Sequence, residues 1–153
     1  VDFIFGGALA VFDDCEIRSL AAGYITAAST PAGQRAGLVF VDSRLTAAPG
    51  TKNVYLGRPW RDHAQTVFLR CEMDGHIHVE GWHDWNRAKA WDTVHFAEFN
   101  SRGPGGSSDY RVPWSRQLDV KSAESFEPER LLLRAGETPW IDFSIEKGKE
   151  RKP

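Results

Sequence analysis

The sequence predicts an all-β protein built as a parallel β-helix, and three observations carry that prediction. A Phe-centred strand pattern repeats at a constant period, the segments between repeats are rich in Gly, Pro, Asp and Asn, and long helix-forming runs are scarce. The repeated runs are AVFDDCEI at 10–17, LVFVDSRL at 38–45, TVFLRCEM at 66–73 and VHFAEFNS at 94–101. Their centres, Phe12, Phe40, Phe68 and Phe96, stand 28 residues apart. A constant period of this size marks a repeat architecture, and units made only of strands and turns stack as one coil each. An ordinary β-sandwich with four evenly spaced phenylalanines is the competing reading, since loop insertions tend to blur a solenoid's period.

The elements follow in chain order. VDFIF opens as a strand in which alternation puts Val1, Phe3 and Phe5 on one face and Asp2 with Ile4 on the other. In the first three units the Phe is followed three residues later by Cys15, Ser43 and Cys71, then by Ile17, Leu45 and Met73. Stacked coils lie about 4.8 Å apart, so the four Phe rings are expected to form one internal ladder. The Ser43 coil separates Cys15 from Cys71, which puts their Cα atoms about 9.6 Å apart, beyond the ~7 Å reach of a disulfide. Two free, buried thiols are expected, acting as small core residues. After the fourth unit NSRGPGGSSDY at 100–110 reads as a polar loop. Pro128 to Ala135, before Gly136, reads as a short helix with Pro near its start and Gly past its end. Loop and helix together are expected to cap the open end of the solenoid. Residues 1–145 thus form one domain, and EKGKERKP at 146–153 is a charged tail expected to be mobile.

Composition excludes several partners. The 153 residues carry a net charge of −2, with an isoelectric point near 6.2, so no basic field is available to hold nucleic acid. Mean hydropathy is −0.43 and no apolar run approaches the roughly 20 residues of a membrane-spanning helix. No targeting segment is visible, and a chain that opens with Val inside an apolar run reads as cut from something longer. Aromatic residues reach 12%, including six Trp, more large rings than one small core needs.

Asp2 is the first candidate for chemistry, because it interrupts an apolar strand. Arg58, in NVYLGRPW, lies 56 residues later, two repeat periods. A solenoid would bring the two onto one face about 10 Å apart along its axis, a gap a guanidinium can largely span. Such an Arg would hold the carboxylate charged and oriented for attack; the ordinary alternative is a surface salt bridge. Trp60, two residues past Arg58, is suited to stacking on a sugar ring, and Trp82, Trp85 and Trp91 add further rings nearby. His76 and His78 are expected to share a strand face by period-two alternation and with Glu80 could mimic a metal site, yet no Cys or further His completes a recognisable spacing, and a solvated strand face is the better reading. GPGG at 103–106 lacks the Lys-Ser/Thr of a phosphate loop.

VDFIFGGA, GYITA, GLVFVDSRL, VYLGRPW, TVFLRCEM, the GW at 81–82, FAEFNSRGPGG and RVPW follow one another as in the pectinesterases. The sequence resembles that family over about residues 1–140. The resemblance implies a right-handed parallel β-helix that hydrolyses the methyl esters of pectin to pectate and methanol, without metal or organic cofactor. It implies Asp2 as nucleophile, Arg58 as the residue orienting it, and Trp60 as a ring stacked on galacturonate, with Phe3 as a second substrate-binding side chain. The family's catalytic acid/base Asp and two oxyanion Gln lie upstream of VDFIFG, so these 153 residues are expected to lack them. The chain alone is therefore expected to be nearly or wholly inactive, since general acid/base help is commonly worth about 10² to 10⁴ in rate. Stripped of upstream coils it is expected to be association-prone, where the full-length form would be a monomer. An extracellular or periplasmic home also follows from the resemblance. A non-catalytic pectin-binding fragment is the alternative from a different functional class. A β-helical lyase ranks below both, because it calls for clustered acidic Ca²⁺ ligands.

Overall fold

The computed structural model describes residues 1–133, and in it each coil contributes one strand to each of three sheets. The first coil supplies β1 (Asp2–Gly6), β2 (Ala10–Asp13) and β3 (Glu16–Ser19). The second supplies β4 (Gly23–Ala28), β5 (Leu38–Val41) and β6 (Arg44–Ala47), and the third β7 (Val54–Pro59), β8 (Gln65–Leu69) and β9 (Glu72–Met73). β10 (His95–Phe99) and β11 (Arg116–Gln117) extend one sheet, and α1 (Val120–Glu124) and α2 (Pro128–Leu132) follow. All pairings are parallel, giving the orders β1-β4-β7, β2-β5-β8-β10-β11 and β3-β6-β9. This is a parallel β-helix.

The 28-residue period holds for two of the sheets. Phe12, Phe40 and Phe68 are in register, and their rings stack at 4.6 Å in both steps. Ile17, Leu45 and Met73 form a second ladder on the neighbouring sheet. On the first sheet the register partners are Asp2, Tyr24 and Tyr55, spaced 22 and then 31 residues apart. The connections into that sheet differ in length from coil to coil, as surface segments are free to do.

Phe96 departs from the expected ladder. β10 pairs with β8 so that Glu98, not Phe96, stands opposite Phe68, and Phe96 stands opposite Thr66. The indole of Trp82 enters the interior between the rings, 5.9 Å from Phe68 and stacked at 4.6 Å on Phe96. Room for it exists because Gly57 bridges Trp82 and has no side chain; a Cβ there would stand 3.3 Å from the indole and 2.2 Å from Thr26 Oγ1. A ring this large takes the place where a fourth Phe would stack, and the strand shifts by two residues.

Glu98 consequently lies in the core at 1% exposure, paired with Arg111 through Nε–Oε1 at 2.7 Å and Nη2–Oε2 at 3.1 Å. Arg111 also donates to the Gly105 and Val79 carbonyls. Removing one partner of such a pair typically costs about 3–5 kcal/mol.

Cys15 and Cys71 form no disulfide with each other, as the coil spacing requires. Ser43 sits between them in the stack and accepts the Cys15 amide at 3.1 Å. Burial pushes the Cys71 thiol up to about 12, whereas Cys15, in the outermost coil, is only half-buried. The turns after β2, β5, β8 and β10 each pass through one left-handed residue, Asp14, Asp42, Arg70 and Asn100.

The two parts of the expected cap have different tasks. Val112 and Trp114 of the polar connection pack on the end of the interior, with Trp114 6.0 Å from Phe96. The helices instead cover the outer side of the middle sheet: Ala123, Phe126 and Leu131 pack with Val39, Val41, Val67 and Leu69. Both faces of that sheet are apolar, so a helical cover there buries more than it would over the open end. Arg70 ties this cover down by donating to Asp42 and to Glu127. Ala135, Gly136 and the tail at 146–153 lie outside the described residues.

Candidate active site

β1 does not alternate strictly. Asp2 turns outward in register with Tyr24 and Tyr55, Ile4 packs against the core, and Phe5 turns outward again against the ring of Trp60 at 5.7 Å. The next two strands explain how: Ile25 and Thr26, then Leu56 and Gly57, place two successive positions inward. The Thr26 hydroxyl donates to the Leu56 carbonyl at 2.8 Å, so its burial leaves no polar group unsatisfied. Three residues after Tyr55 the third strand turns outward at Arg58.

Asp2 and Arg58 meet there. Arg58 Nε donates to Asp2 Oδ1 at 2.8 Å and Nη2 donates to Oδ2 at 2.6 Å. Their side chains are 17% and 11% exposed, so the pair is mostly shielded yet open on one side. The hydrogen bond to Asp2 raises the guanidinium above its ordinary value, against the opposing effect of burial. Arg58 lies over the Tyr24 ring at 4.8 Å and against the Trp85 ring at 3.6 Å. A planar cation held between two aromatic faces and a carboxylate has little freedom left.

Around this pair the outer face is aromatic. Tyr24 stacks on Tyr55 at 5.6 Å and Tyr55 on His78 at 4.4 Å, while His83 packs against both tyrosines. Burial, then Glu80, raises the Tyr55 phenol above its ordinary value. Trp60 and Trp85 are 39% and 43% exposed. One outer sheet face thus brings together the Asp2 carboxylate, its fixed counter-charge Arg58 and the exposed rings of Trp60 and Trp85.

The structure separates other residues that the sequence grouped. Trp82 belongs to the core and not to the outer aromatic face, and Trp91 stacks on Trp114 at 6.2 Å at the capped end. Phe3 falls opposite the buried Ile25 and lines a cavity of about 290 Å³ with Arg18, Ser19, Leu20 and Val54, whereas Phe5 lies beside Trp60. His76 is buried and His78 stacks on Tyr55, so the two do not converge; burial lowers His76 below its ordinary value. Among the described residues no group of His, Cys, Asp and Glu is arranged to hold a metal ion, and no helix is long and apolar enough to cross a membrane. Trp85, one of the additional rings named from the sequence, does lie at Arg58, whereas Phe5 and Tyr24 beside it were not singled out. GYITA carried a usable signal for Tyr24, but strict alternation hid Phe5.

The fold and this face define the class: a parallel β-helical protein with an Arg-clamped carboxylate set in an aromatic outer face. The pectinesterase family model matches residues 1–135. Pectinesterase 31 of Arabidopsis thaliana is 36% identical over 92% of this chain and 45% of its own length. The solved pectin methylesterase from carrot superposes with a TM-score of 0.78 at 30% identity, covering 86% of this chain and 46% of that one. A pectin methylesterase solved in complex with a hexasaccharide gives a TM-score of 0.71, also at 30% identity, over 93% of this chain and 49% of its own. The chain belongs to the pectinesterase family, and it spans about half the length of these relatives.

Proposed function

We propose that Asp2 is the nucleophile of a pectin methylesterase, and that the two hydrogen bonds from Arg58 to Asp2 are the observation that carries this reading. Asp2 attacks the C6 carbonyl carbon of a methyl-esterified galacturonate. The tetrahedral intermediate expels methoxide, which leaves as methanol after taking a proton, and an Asp2–galacturonate anhydride remains. Water then attacks the anhydride, returning the Asp2 carboxylate and a free galacturonate carboxylate. Arg58 orients one carboxylate oxygen for attack, and Trp60 with Phe5 offers ring faces for the sugar. The proton for methanol and the donors for the intermediate's oxygen are assigned, by resemblance, to upstream Asp and Gln residues of the longer relatives.

Methanol release from highly methylated pectin tests the reading, comparing this chain with a form extended by the upstream coils. The extended form should turn over, its Asp2→Asn variant should lose essentially all release, and the 153-residue chain should be silent. Methanol release that persists in the extended Asp2→Asn variant would remove Asp2 from its role. Pectin binding without any release by the extended form would favour the binding-module alternative.

A further inference from the structure

The connection after Gly81 places a histidine where it sets the position of a residue lying on Arg58. Trp85 and Asn86 both take left-handed backbone, with φ of 51° and 58°. Two side-chain acceptors hold this turn: Asp84 Oδ1 accepts the Asn86 amide at 2.9 Å, and His83 Nδ1 accepts the Trp85 amide at 3.0 Å. An acceptor bonded to the amide two residues on is the arrangement by which Asx turns fix such backbone. The turned chain lays the Trp85 ring 3.6 Å from the Arg58 guanidinium carbon. His83 is itself wedged among rings, with Nδ1 3.4 Å from the Tyr24 hydroxyl and its ring 5.2 Å from that of Tyr55.

We propose that His83 is a positioning residue whose unprotonated Nδ1 holds Trp85 against Arg58, so that the Arg58–Asp2 pair is clamped at neutral pH and unclamped in acid. This rests on the reading of Asp2 and Arg58 as the reactive pair. Nδ1 accepts the Trp85 amide only while its lone pair is free. Protonation sets an N–H donor against another N–H donor, and the turn loses the bond that maintains it. Histidine is the side chain whose charge ordinarily changes between about pH 5 and 8.

The surrounding groups leave the effect with His83. Tyr24 of β4 meets the ring through its hydroxyl, Tyr55 of β7 is held neutral by burial and Glu80, and Asp2 of β1 is engaged by Arg58. Arg58, under the Trp85 ring, and Asp84, which accepts the Asn86 amide, are the other charged groups of this arrangement. His78 stacks on the Tyr55 ring, and its Nδ1 accepts the Glu80 amide.

The test is a nuclear magnetic resonance titration of this chain from pH 8 to pH 5. It follows the His83 ring protons together with the Arg58 side-chain protons, which the Trp85 ring current displaces. The Arg58 signals should be displaced at pH 8 and should lose most of that displacement in step with His83 protonation. Trp85→Ala should abolish the displacement at every pH. His83→Asn, whose side-chain oxygen accepts without titrating, should keep it down to pH 5, and His78→Gln should titrate like the parent. Arg58 signals that stay fixed while His83 titrates would overturn the proposal, as would an unchanged pH response in His83→Asn. None of these readouts needs turnover, so a failed methanol assay and a failed clamp are told apart.

Discussion

Arg58 shows how much one side chain's shape can decide. Its fork matches both oxygens of Asp2, and its flat faces match Tyr24 and Trp85. Lysine would keep the charge but lose the fork and the stacking. In a form that turns over, Arg58→Lys should lower kcat/KM by about 10², the penalty typical of a misplaced reacting group. Its melting temperature should stay close to the parent's, because the pair lies on the outer face and not in the core. Equal losses of activity and stability would instead mark the pair as structural. The same residue limits what sequence spacing could show. The expected separation of two 28-residue periods is correct in sequence, but Asp2 is in register with Tyr55, and Arg58 reaches it diagonally across three positions.

At the level of the strand, Gly57 is the position on which the site's geometry turns. Thr26 points its hydroxyl inward beneath it, Trp82 crosses beside it, and Arg58 follows it outward. A methyl group there would stand 2.2 Å from the Thr26 oxygen, closer than side chains tolerate. Gly57→Ala should therefore destabilise by about 1–3 kcal/mol, read as a lower urea midpoint. Adding Thr26→Ala should recover part of that loss, because the two changes share one space and are not additive. A double variant no more stable than Gly57→Ala alone would show that the clash lies elsewhere.

Over the whole molecule, two histidines couple folding to pH. Burial lowers His76, and burial reinforced by Arg116 lowers His95. Both rings are therefore held neutral in the fold more firmly than in the unfolded chain. As pH falls below about 6.5, the ordinary histidine value, the unfolded state takes up these protons first. The stability present above that value should thus be lost progressively as pH falls towards the depressed folded values. The melting temperature should drop between pH 7 and 5, and His95→Phe, which keeps the stacking on Phe126, should flatten the drop. A slope unchanged by that variant would place the coupling on His76 or on the carboxylates.

Sequence alone determined the coil, the ladder of Phe12, Phe40 and Phe68, the separation of the two thiols and the pairing of Asp2 with Arg58. These are legible because stacking repeats a local pattern at one spacing, so that distance along the chain converts directly into distance along the axis. The tertiary structure alone decided the places of Phe96, Trp82, Phe3 and Phe5, and sent the helices to the flank of the middle sheet. Each of these depends on volume: an indole fits inside only because Gly57 is bare and Thr26 is satisfied, and Phe96 then moves to meet it. Which ring fills a space is settled by its neighbours in three dimensions, and those neighbours come from coils tens of residues away.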